Sequence, residues 1–169
     1  MIALLLLFAT ALSAQETGKL CAPCHAEYVA SLRTHKHFAK GIGCEVCHGS
    51  SQQHRNAAGA TAPDRVAAPD EVPALCGGCH AAERKEYEPS RHGVLVLARG
   101  KTRAANCGTC HGVHSPRAAA AMERQCARCH ASLPETCRKP VNVASGKLRC
   151  AVCHSPHSLA RLTPPGSTP

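Results

Sequence analysis

The longest apolar run in this chain is its first. MIALLLLFATALSA holds about eleven apolar positions and ends in the small residues Ala11, Ser13 and Ala14, which predicts a secretory signal peptide over residues 1–14 with cleavage near Gln15. The run is too short to span a bilayer, and no later stretch is long and apolar enough to do so. A short buried helix is the competing reading, since no basic residue follows Met1. Beyond it, the stretches near 19–34, 74–87 and 117–131 carry Ala, Leu, Glu, Arg and Lys in runs that predict short helices. No alternation of apolar and polar positions persists, so little or no β-sheet is expected. Val94 to Leu97 is either a brief extended segment or an apolar stretch packed against the face of a partner. Residues 55–73, rich in Ala, Pro, Asp and Gly, read as a surface linker, and 161–169 as a flexible tail. The expected fold class is mainly α with much irregular chain.

The cysteines change this picture. Cys-x-x-Cys-His occurs six times, at 21–25, 44–48, 76–80, 107–111, 126–130 and 150–154. These sites use Cys21, Cys24, Cys44, Cys47, Cys76, Cys79, Cys107, Cys110, Cys126, Cys129, Cys150 and Cys153, leaving only Cys137 of the thirteen. They also use His25, His48, His80, His111, His130 and His154, leaving His35, His37, His54, His92, His114 and His157 of the twelve histidines. A bare Cys-x-x-Cys pair suggests zinc or a redox dithiol. Neither needs histidine after every second cysteine. The spacing suits covalent haem, because two thiols add to the vinyl groups of one porphyrin while the next residue reaches its iron.

Composition agrees with six bound haems. The chain has no Trp, two Phe and two Tyr, so the large side chains that usually fill a core are nearly absent. Six porphyrins would supply that apolar volume, giving short helices and loops wrapped around stacked haems and little stability without them. The 20 Lys and Arg against 11 Asp and Glu give a net charge of +9, which alone would suggest an anionic partner. Ionised propionates of six haems add about −12 and bring the holoprotein to about −3. Most Arg and Lys then read as propionate partners. Nucleic acid is not expected as a partner, because aromatic residues for base stacking are lacking.

Above the single motif lies a repeat. Segments 21–54 and 76–114 share the order CxxCHA, a histidine sixteen positions from the first cysteine (His37, His92), a glycine (Gly43, Gly100), CxxCHG and a final histidine (His54, His114). Segment 126–157 repeats the ends, with Gly146 between them and no middle histidine. Three dihaem repeats therefore make up one domain over 15–160. Within CGTCHGVH, His111 and His114 stand three residues apart. Two histidines on opposite sides of one iron need roughly 12 Å between α-carbons, with about 2 Å per metal–nitrogen bond. Three extended residues reach only about 10 Å. His114 is thus expected to serve a haem other than that of Cys107 and Cys110, and His157 one other than that of Cys150 and Cys153. The surplus His35 and His37, two positions apart, point in opposite directions if extended, and are expected to reach two different haems. Cys137 is an ordinary thiol or a ligand; the sequence leaves both open.

Tyr87 to His114, YEPSRHGVLVLARGKTRAANCGTCHGVH, resembles the Ser-x-His-Gly and Cys-x-x-Cys-His-Gly-x-His pattern of periplasmic multihaem cytochromes c, including the decahaem conduits of metal-reducing bacteria and the pentahaem donors to nitrite reductase. The resemblance implies haems with two axial histidines, electron transfer, and His92 as a distal ligand. The first repeat departs from the pattern in offering both His35 and His37, and the third in offering neither.

Two functions follow as expectations. In the first, the chain is an electron carrier of a respiratory chain, periplasmic or secreted. Its partners would be a quinol-linked donor and a terminal reductase or extracellular acceptor, with peripheral association with a membrane complex or self-association through its haems. In the second, one iron keeps an open position and the protein is an oxidoreductase of a small nitrogen or sulfur compound. Six spare histidines for six irons favour the carrier.

Overall fold

The computed structural model describes residues 14–132 and 150–162. Residues 1–13 of the expected signal peptide, Cys137, Gly146 and residues 163–169 of the expected tail lie outside the described residues. The described chain is helical with irregular connections and holds no sheet; its one β-bridge joins His154 to Arg161. Its helices are α1 (Ala14–Leu32), α2 (Lys36–Ala39), α3 (Cys44–His48), α4 (Gln52–Asn56), α5 (Val72–Gly77), α6 (Ala81–Tyr87), α7 (Arg91–Gly93), α8 (Cys107–His111), α9 (Ala119–Cys129) and α10 (Cys150–Cys153). No described helix is long and apolar enough to cross a membrane.

These residues form two compact units. The first reaches Val66 and includes His114–Pro116; the second comprises Ala67–Val113 and the chain from Arg117 onward. The first unit holds the first repeat and the end of the second. The other unit holds the rest.

The first five motifs alternate between two backbone forms, in register with the repeat, whereas in the sixth the helix ends at Cys153 and His154 forms the β-bridge. In the first, third and fifth, the histidine leaves the helix: His25 (φ −124°, ψ 42°), His80 (φ −103°, ψ 56°) and His130 (φ −100°, ψ 57°) share one non-helical conformation, and alanine follows each. The predicted helix over 74–87 is accordingly two helices, α5 and α6, and α1 is kinked at His25. In the second and fourth, the histidine completes the helix and the next residue is a glycine at positive φ, Gly49 (74°) and Gly112 (71°), which ends it without the cost a β-carbon would incur there. Each of these two helices also follows an extended residue, Gly43 and Asn106.

Two expectations need correction. Val94–Ala98 forms a wide π-helical turn, not an extended segment, and Val96 is fully buried within it. Residues 57–66 are no free linker: they fold back onto the second motif, as described below.

The apolar interior of the polypeptide is small. Among the described residues the buried hydrophobic side chains are Val29, Tyr87 and Val96, whereas Leu20, Val46, Val66, Val113 and Val152 are about half exposed or more. Tyr87 is placed by its hydroxyl, which donates to the Ala105 carbonyl at 2.9 Å and ties the end of α6 to the approach of α8.

Candidate haem-binding histidine pairs

Four motif histidines each face a histidine from outside the motifs. In the first unit, His25 faces His54 with ring centres 6.0 Å apart and planes 15° from parallel, and His48 faces His114 at 5.9 Å and 21°. In the second unit, His130 faces His92 at 5.9 Å and 35°, and His111 faces His157 at 6.2 Å and 25°. The rings of His111 and His114, three residues apart, therefore look at different partners. A metal–nitrogen bond of about 2 Å, plus about 1 Å from nitrogen to ring centre, separates the centres of two imidazoles on opposite sides of one metal by roughly 6 Å. The four pairs have that spacing. No three His, Cys, Asp or Glu side chains converge on a point among the described residues. A haem iron would take two imidazoles of such a pair as its protein ligands.

Local hydrogen bonds fix which nitrogen faces the partner. Nδ1 of His48 lies 3.0 Å from the Arg65 carbonyl, Nδ1 of His54 2.6 Å from that of Thr61, and Nδ1 of His154 3.0 Å from that of Leu159. A carbonyl oxygen only accepts, so each Nδ1 must carry the proton and each Nε2 keeps its lone pair for a metal. Burial, with the neighbouring imidazole second, lowers the pKa of His92, His111 and His114. Lowered values hold these rings in the neutral, metal-binding form at neutral pH.

The Ser-x-His-Gly element is built to place His92. The Ser90 hydroxyl caps α7 by accepting from the Gly93 N–H at 3.0 Å, which starts a helical turn at Arg91. A β-carbon on Gly93 would run into the carbonyl oxygens of Tyr87 and Glu88, so only glycine lets the turn sit on α6. His114 is held against α1: the Tyr28 ring lies 4.9 Å from it, and Ser31 Oγ donates to Ser115 Oγ at 3.0 Å beside it.

The attachment thiols meet across motifs. Cys44 is in hydrogen-bonding reach of Cys21, Cys76 of Cys107 and Cys150 of Cys126, so in each repeat the first cysteines of the two motifs lie together. Burial first, and Cys21 second, push the Cys44 thiol up to about 11. The hydrogen bond between Cys76 and Cys107 raises Cys76 and lowers Cys107 to about 7. None of the twelve described cysteines is in a disulfide.

The sequence reading missed two arginines and a buried asparagine. Arg65 donates from Nε to the Cys47 carbonyl at 2.7 Å and from Nη2 to that of Val46 at 2.8 Å, covering the open end of α3. Arg117 does the same for α8, from Nη1 to the Thr109 carbonyl at 2.9 Å. These side chains bind helix carbonyls, where the charge argument had counted them with the propionate partners. Asn106 opens α8 with a reciprocal cap, its Oδ1 accepting from the Thr109 N–H at 3.1 Å and its own N–H donating to Thr109 Oγ1 at 3.2 Å, while Nδ2 donates to the Pro69 carbonyl at 2.9 Å. An Asn-x-x-Thr spacing just before a motif is the signal that could have found it.

The rings of His35 and His37 are placed otherwise than expected. His35 and His37 are not splayed: their rings lie 4.4 Å apart, because α2 starts at Lys36 and Nδ1 of His35 accepts from the His37 N–H at 3.1 Å. His80 has a carboxylate beside it, Glu83 at 3.9 Å from Nδ1. No protein-family model matches the chain, and neither a curated protein nor a solved structure shows significant similarity to it.

Proposed function

We propose that the protein is a multihaem cytochrome c that carries a covalent haem at each of its six Cys-x-x-Cys-His sites and relays electrons in a respiratory chain. The observation that carries this reading is the partner choice of the histidines. His25, His48, His111 and His130, each next to a thiol pair, face His54, His114, His157 and His92, each outside the motifs, at 5.9–6.2 Å. Unrelated core or surface histidines would have no reason to pair one of each kind at a metal-bridging spacing four times.

When bound, each haem supplies a one-electron iron couple. The chain's own residues do the rest. The thiols of each motif would hold the porphyrin, each motif histidine and, at four sites, its facing histidine would bind the iron, and the carbonyls of Arg65, Thr61 and Leu159 keep Nδ1 of His48, His54 and His154 protonated. Exposed apolar side chains within and beside the motifs, Val46, Val113 and Val152, provide surface for porphyrin faces. His111 and His114 then serve different irons and are joined by three residues of backbone, a short covalent link between successive sites. At the four sites with a facing histidine, two protein ligands would leave no place for a substrate, which favours the carrier over an oxidoreductase of small nitrogen or sulfur compounds. Attachment after export accounts for the signal segment and puts the protein in the periplasm or outside the cell, where its partners are redox proteins.

Mass spectrometry of protein made in a haem-maturing host tests this reading. An increment of six haems is expected, and any other number overturns it. Ferric spectra that are wholly low-spin and unmoved by nitrite, cyanide or carbon monoxide are expected of a carrier; a high-spin signal that responds to them identifies the oxidoreductase.

A further inference from the structure

The stretch from Ala57 to Val66 lies on the surface, yet it makes the most directed polar contacts of the first unit. Asp64 is its anchor: one carboxylate oxygen accepts from the Ser51 N–H at 2.8 Å and from Ser50 Oγ at 3.3 Å. Ser51 Oγ in turn reaches the His48 carbonyl at 2.8 Å, and Gly49 leaves the room that Asp64 fills, since a β-carbon there would lie 2.7 Å from the carboxylate. Arg65 is the second anchor, spanning the Val46 and Cys47 carbonyls at the end of α3. Between these anchors two backbone carbonyls are aimed at imidazoles: Thr61 at Nδ1 of His54 and Arg65 at Nδ1 of His48. His54 faces His25, and His48 faces His114. One strap therefore fixes one ring of each histidine pair in this unit.

We propose that the Thr61–Arg65 strap tunes both irons of the first unit together, with Asp64 and Arg65 as its positioning residues. The inference rests on the haem reading above and goes beyond it. A histidine whose Nδ1–H donates to a carbonyl is a more basic ligand, and a more basic ligand stabilises the ferric state. Holding both carbonyls in place keeps both potentials low. Releasing the strap removes both hydrogen bonds at once, so the two potentials rise together while the ligands, which stay attached to their own helices, remain bound. Outer-shell partners of this kind alter metal-site properties by on the order of tenfold or more. Tenfold in a one-electron equilibrium is about 59 mV.

The test is a potentiometric titration of the holoprotein, with haem counted by mass, for the parent chain and for Arg65→Ala, Arg65→Lys and Asp64→Ala. All should retain six haems. In Arg65→Ala and Asp64→Ala, two of the six one-electron steps should move to higher potential by about tenfold each, with altered low-spin EPR signals for the same two. Arg65→Lys keeps a cation at the end of α3 and should give a smaller shift of the same two. A shift of one step, or of none, at full haem content overturns the proposal. Should Arg65→Ala fail to accumulate, Asp64→Asn keeps the volume and weakens the bond to Ser51, and the same outcomes decide. A parent chain without haem would refute the haem reading, and that failure is read from its mass before any variant is compared.

Discussion

The imidazole of His114 faces that of His48 at 5.9 Å, while His111, one turn before it in the chain, faces His157 at 6.2 Å. Adjacent histidines of one short motif thus look at partners far from each other in sequence. A three-residue tether prevents both from reaching one metal, and the fold uses that limit to give each its own partner.

Replacing either distal histidine should therefore open one iron and leave attachment intact. His114→Ala and His157→Ala are each expected to retain six haems by mass, since the thiols make the covalent bonds, and to convert one of six low-spin signals to high-spin. In the double variant the effects should add to two. Fully low-spin spectra in both single variants would mean that the facing rings are not ligands.

Tyr28 touches both histidine pairs of its unit, with its ring 4.9 Å from that of His114 and 6.1 Å from that of His25. The nearer contact would limit rotation of the His114 ring about a bond to a metal. Tyr28→Ala should shift the EPR g-values of one low-spin iron, whereas Tyr28→Phe, which keeps the ring, should leave them in place. Equal spectra for the Ala and Phe variants would remove any positioning role for the ring.

The two motif forms make a stability prediction. Asn106 is buried, closes the N-terminus of α8 and bonds to Pro69, so Asn106→Ala loses a cap and leaves the Pro69 carbonyl without this donor. A loss of about 1–2 kcal/mol is expected, seen as a drop in the Tm of the holoprotein by roughly 2–8 °C. Gly93→Ala should cost more, because the obstacle is the backbone of Tyr87 and Glu88 and cannot swing aside. An unchanged Tm for Gly93→Ala would contradict the packing of α7 on α6.

Much of the site was legible before any coordinates. The motif spacing names its own residues, and the repeat register singled out His92 and His114. The partner of each was not legible. His92 faces His130, from the next repeat, and nothing in either local sequence carries that information. Helix positions near 19–34, 74–87 and 117–131 followed from propensity, but the break at His25, His80 and His130 did not, since histidine has no intrinsic demand for that conformation. The strap was hidden for a different reason. Its contacts to His48 and His54 come from backbone carbonyls, which every residue has, so an Ala- and Pro-rich stretch read as a linker. His35 and His37 misled because their opposite directions hold for an extended segment, and α2 begins between them.

The charge of the holoprotein tests the cofactor number without spectroscopy. The peptide carries +9 with a calculated pI of about 9.1, and six ionised haems would bring it to about −3. Arg65 and Arg117 bind helix carbonyls, so their charges are screened locally, but they remain in the net sum. At neutral pH and low salt the holoprotein should pass through a cation exchanger and be retained weakly by an anion exchanger. The chain produced without haem should do the opposite. Tight binding of the haem-loaded protein to the cation exchanger would show that fewer propionates are ionised, or fewer haems attached, than six motifs require, and mass measured on the same fraction separates these two causes.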